Sequence, residues 1–72
     1  MTQVEQVLEY LRKNGSITQL QALNELGIMR LASRVLDLKR LGYPVVAQTV
    51  KVETRSGKGA YVKQYRMASN EG

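Results

Sequence analysis

Seventy-two residues without a cysteine or a histidine make one small domain that has no disulfide framework or thiolate metal site, and that lacks the commonest general base and the commonest zinc ligand. The net charge of +5 is uneven: residues 1–27 set Arg12 and Lys13 against Glu5, Glu9 and Glu25, whereas residues 28–67 set nine Lys/Arg against Asp37 and Glu53. A basic half points to a polyanion, most often nucleic acid, and with no apolar run near the ~18 residues of a membrane span and no signal-peptide pattern, the chain reads as soluble, cytoplasmic and without a membrane role.

The first predicted helix opens on a capping box, with Thr2 as N-cap and Glu5 three residues on. Val4, Val7, Leu8 and Leu11 follow at helical spacing and form one apolar face. Glu5 and Glu9 come early, Arg12 and Lys13 late, as the helix dipole favours. Asn14-Gly15 ends this core helix.

A second helix of two to three turns has two candidate N-caps, Ser16 and Thr18, each with a glutamine three residues later. Leu20, Leu23 and Leu26 are expected on its buried face, helped by Ala22, with Ile17 packing at its start. Its first residues, Thr18 and Gln19, are placed to meet a DNA phosphate. Gly27-Ile28-Met29 is a tight turn in which glycine supplies the left-handed conformation and Ile28 points back between the helices.

The third helix is expected from near Met29 to Gly42. At 100° per residue, Ile28, Leu31, Ala32, Val35, Leu36 and Leu38 fall on one broad arc that faces the core. The opposite arc holds Arg30, Ser33, Arg34, Asp37 and Arg40. Arginine presents a planar fork that bonds guanine O6 and N7 together. Ser33 is small enough for close approach, and Asp37 is suited to orient an arginine or to accept from cytosine N4. Lys39 lies nearer the core arc and snorkels to solvent or a phosphate.

Gly42-Tyr43-Pro44 stops the helix. Two β-like runs follow, Val45 to Glu53 and Ala60 to Met67, with Val50, Val52, Tyr65 and Met67 as the expected inward residues. Tyr61 and Tyr65 read as packing residues. The segment between the runs, residues 54–59, has two glycines and small polar residues, and reads as a flexible hairpin loop. Arg55, Lys58 and Lys63 are its natural phosphate contacts, supported by Ser56 and the loop amides. Gly57-Lys58-Gly59 lacks the spacing and the following helix of a P-loop. Residues 68–72 read as a flexible C-terminal tail.

A helix, a helix-turn-helix and a two-stranded hairpin with a basic tip form the order of a winged helix-turn-helix domain, an α+β fold that residues 1–67 resemble. More narrowly, GIMRLASRVLDLKRLGYPV (Gly27 to Val46), followed by a hairpin that ends in Tyr65-Arg66-Met67, is similar to a family of small helix-turn-helix proteins encoded mainly by phages and prophages. The resemblance implies double-stranded DNA binding, with the third helix in the major groove and the wing on the backbone or minor groove. Arg30, Ser33, Arg34 and Asp37 match the groove-facing positions, and residues 55–58 match the wing tip. Leu23 stands where many such proteins have alanine, which implies a different interhelical angle.

The expected function is therefore sequence-specific DNA binding by a regulator of transcription or replication that uses no cofactor or metal. No dimerisation helix is visible, so the chain is expected to be a monomer in solution or a weak homodimer formed on DNA. The alternative is a protein-binding module that engages a host or phage protein through the basic face or a hairpin edge strand. An enzyme has no support, since no pair of convergent carboxylates is evident. The stacking platform of the common single-strand RNA binders is missing too.

Overall fold

Thr2 opens α1 (Gln3–Asn14) as the capping box requires: its Oγ1 accepts the Glu5 N–H at 3.2 Å, and Glu5 Oε1 accepts the Thr2 N–H at 2.8 Å. Hydrogen bonding first to the Thr2 backbone N–H, and second to the Thr2 side chain, holds the Glu5 carboxyl below its usual range. Gly15, at φ 87°, closes the helix by donating to Leu11 O. The computed structural model describes residues 1–68; of the tail expected at 68–72, only Ala68 lies within them, and its N–H donates to Pro44 O.

The sequence suggested a two-stranded hairpin, and the structure adds a strand. Ser16–Thr18 is extended as β1 and pairs antiparallel with the last strand, Ser16 opposite Arg66 and Ile17 opposite Tyr65. Ser16 is thus a strand residue rather than a helix cap; Thr18 alone caps the next helix. Pairing with β3 holds this segment extended, and its central residue, Ile17, is fully buried in the core. β2 (Val45–Glu53) and β3 (Gly59–Met67) form the long hairpin, and the sheet order is β1-β3-β2.

The second helix begins as α2 (Gln19–Gln21) and continues as a π-helical turn (Ala22–Leu26) that ends at Gly27, φ 70°. Of its expected buried face, Ala22 is fully buried and Leu26 partly so, but Leu20 is 66% exposed and Leu23 45%. Ala22 and Leu26 are four apart and share a face on any helix. The phase that selects them is set upstream, by the buried Ile17 and the Thr18 cap. The small Ala22 brings this helix close to the core, and the two leucines turn outward. Tyr10 ties the segment to α1 by donating to Glu25 Oε2 at 2.9 Å, which raises the phenol above its ordinary value.

α3 (Leu31–Arg40) is shorter at its start than the expected span from Met29. It ends in a Schellman motif: Gly42, at φ 100°, donates to Lys39 O and Tyr43 to Leu38 O. The core consists of Val7 and Leu11 from α1, Ile17, Ala22, Ile28, Leu31, Val35 and Leu38, and Val45 at the base of the hairpin. Tyr43, Tyr65 and Met67 pack around it. Strand register corrects a further expectation. Val50 faces Val62 across the ladder while Ala47 faces Tyr65, so Val50 and Val52 lie on the opposite side of the sheet from Tyr65 and Met67.

This layout separates two leucines that sequence alone treats alike. Leu38→Ala, at a fully buried position, is expected to cost about 2–5 kcal/mol. That is a large part of the stability of so small a domain, roughly 0.05–0.15 kcal/mol per residue. Leu20→Ala is expected to stay within about 0.5 kcal/mol. Urea denaturation followed by circular dichroism checks both.

Candidate nucleic-acid interface

The turn between the second and third helices determines where α3 points. α3 has no cap of its own, because the preceding residue is Arg30 and its side chain makes no capping bond. Its first amide is met from another helix. Gln19 Oε1 accepts the Leu31 N–H at 2.9 Å, and Gln19 Nε2 donates to the Ile28 carbonyl at 2.8 Å. One side-chain amide therefore uses both its donor and its acceptor to clamp the two ends of the turn. Beneath it, Ile28 is fully buried. Gln19 is itself positioned by the helix start, where Thr18 Oγ1 accepts the Gln21 N–H at 3.2 Å and Gln21 Oε1 accepts the Thr18 N–H at 3.0 Å. The side chains of Thr18 and Gln19, both expected at a DNA phosphate, are thus engaged inside the protein.

The buried stripe of α3 is narrower than the sequence arc. Leu31, Val35 and Leu38 carry it, together with Ile28 from the turn. Ala32 is exposed and Leu36 is 47% exposed, contrary to their expected core placement. On a helix these two lie 100° or more around from Leu31, beyond the strip that packs inward. Ser33 and Arg40 stand opposite the buried stripe, with Asp37 to one side and Leu36 to the other. Lys39 is exposed on the Leu36 side.

Arg30 and Arg34 sit apart from the centre of this face. With Gln3, Gly27 and Met29 they line a shallow depression next to the start of α1. Arg34 Nη2 lies 3.4 Å from Asp37 Oδ2, an ion pair with each side chain about one-third exposed. Such a pair adds roughly 0–1 kcal/mol, so its main effect is to aim the guanidinium.

The expected flexible loop is a hydrogen-bonded turn. Gly57, at φ 82°, donates to Thr54 O, the Thr54 hydroxyl donates to Lys58 O, and it shares a further hydrogen bond with the Ser56 hydroxyl at 2.9 Å. Arg55, Ser56 and Lys58 are exposed at this tip, and Lys63 is exposed on β3 opposite Thr49.

Between the second helix and the wing runs a groove of about 730 Å³, lined by Leu20, Leu23, Ala32, Val50, Val52 and Val62 among others. Sequence reasoning missed it because it placed Leu20, Leu23, Ala32, Val50 and Val52 in the core. Among the described residues, no three His, Cys, Asp or Glu side chains are grouped to hold a metal ion, and no helix is long and apolar enough to cross a membrane.

If the Gln19 clamp fixes the turn, Gln19→Ala removes two hydrogen bonds and leaves the Leu31 N–H and Ile28 carbonyl without these partners. The expected cost is about 1–3 kcal/mol by denaturation, with faster hydrogen exchange at the Leu31 amide than at Leu11 in α1.

The model of the winged helix-turn-helix domain family matches residues 2–70. No curated protein and no solved structure matches the chain.

Proposed function

This chain belongs to the winged helix-turn-helix domain family, and from that premise we propose that it is a sequence-specific binder of double-stranded DNA. α3 lies in the major groove, and the wing rests on the backbone or in the minor groove. The carrying observation is the outer face of α3, where the exposed Arg40 and the half-buried Ser33 and Asp37 lie opposite the buried stripe, between Lys39 on one side and Arg34 on the other. Arg40 and the aimed Arg34 are the candidates for bidentate bonds to guanine. Arg30 stands at the start of the same helix. Arg55, Ser56, Lys58 and Lys63 in the wing, with Lys39 and the main-chain N–H of Gln19, supply phosphate contacts that fix the register; the Thr18 N–H is already held by Gln21 Oε1.

The likeness of residues 27–46 to small phage and prophage proteins supports a regulatory role in transcription or replication. The chain acts as a cytoplasmic, non-enzymatic binder. One such domain covers roughly 600–1,000 Å² of its own surface on DNA. Tight binding therefore favours two copies on a repeated or palindromic site, each a monomer until it meets DNA.

A protein partner is the second reading, and the observation that favours it is the apolar groove beside the wing. Selection from a randomised duplex pool across a salt series separates the two. An enriched motif that survives added salt supports DNA recognition; no duplex binding at low salt supports the protein partner. Within the DNA reading, Arg40→Ala is expected to relax preference at one base position by about 1–3 kcal/mol. Lys58→Ala is expected to weaken all sequences alike and to flatten the log–log salt slope by about 0.9.

A further inference from the structure

We propose that Leu36, with Ala32 one turn before it, reads the C5-methyl groups of thymine in the major groove. The inference rests on the DNA-binding role of α3 proposed above and adds residues that neither charge nor hydrogen-bonding capacity would select.

Leu36 is 47% exposed, and the buried stripe of α3 is complete without it. Its neighbours three and four positions away are Ala32, Ser33, Lys39 and Arg40. The two before it are small, so nothing beside Leu36 on that turn holds the helix off the base edges. The two after it are exposed cations, of which Lys39 is long enough to reach a phosphate on the groove wall and Arg40 a neighbouring base edge. The patch is therefore an apolar knob with positive charge on its C-terminal side, complementary to a polyanion, while Ala32 on its other side borders the apolar groove beside the wing.

In the major groove, the thymine methyl is the one apolar group that protrudes from a base edge; on G·C the equivalent position carries only the cytosine C5–H, beside the N7, O6 and N4–H2 polar groups. Leucine set against a G·C edge would desolvate donors and acceptors without replacing their hydrogen bonds. Set against thymine, it buries methyl against methyl. The same surface thus favours T·A and penalises G·C at the position it covers.

The test uses the full chain and duplexes selected by it from a randomised pool, with each thymine of the selected site replaced in turn by deoxyuridine, which lacks only the methyl. One buried methyl contributes about 0.8 kcal/mol, or about a fourfold change in Kd. The wild-type protein is expected to lose about fourfold at one or two thymines and nothing at the others. Leu36→Ala, checked by circular dichroism for retained helix, is expected to bind the thymine duplex more weakly and to lose discrimination at those positions while keeping it at guanines. Sequence-selective binding with no methyl-sensitive thymine, or sensitivity that persists in Leu36→Ala, overturns this inference and leaves the DNA-binding role standing. Absence of selective duplex binding overturns both.

Discussion

The side-chain amide of Gln19 is the polar link on which the placement of α3 depends. Helices start with unpaired N–H groups that need acceptors, and Arg30, at the start of α3, provides none. Gln19 supplies one from the preceding helix and, through its nitrogen, holds the Ile28 carbonyl as well. The angle between the two helices is thereby tied to side-chain hydrogen bonds and not to apolar packing alone. Packing sets the rest: Ile28 fills the space under the turn, and Gly27 in the left-handed region lets the chain reverse within it.

With α3 so held, the remaining structure sorts the charge. α1 faces inward through Val7 and Leu11 and carries Glu5 and Glu9 outside, while Glu25 is exposed on the second helix. β1, which leads directly into the second helix, pairs with β3, so the start of that helix is tied to the sheet of the wing. The basic second half then appears on α3, at the turn of residues 54–58, and along the hairpin strands, where Lys51, Lys63 and Arg66 are exposed. A duplex is a long negatively charged rod, and two basic elements carried on one small scaffold suit it better than a point-like anion.

Features encoded by neighbouring residues were legible in the sequence. Thr2 and Glu5 show a capping box, Gly15 and Gly42 stop helices, and the valine-rich run from Val45 to Glu53 is a strand with the expected limits. Features that depend on distant partners were not. β1 is three residues long and is recognisable only through its pairing with Gln64 to Arg66. The second helix offers two apolar stripes, and the choice of Ala22 with Leu26 over the leucine stripe through Leu20 and Leu23 is made by its anchoring at Ile17 and Thr18. Ala32 and Leu36 illustrate the same limit: an apolar arc shows where a helix can bury, whereas its neighbours decide how wide the buried strip is. Gln19 has no sequence signal for its role, because the groups it joins become neighbours only after the turn forms.

The most direct measurement is an amide chemical-shift map of the chain titrated with a selected duplex. The account predicts changes centred on Ser33, Leu36 and Arg40 in α3 and on Arg55 and Lys58 in the wing, with Glu5 and Glu9 of α1 unaffected. Changes confined to α1, or to the groove residues Leu20, Leu23 and Val52, would contradict the claim that the outer face of α3 meets DNA.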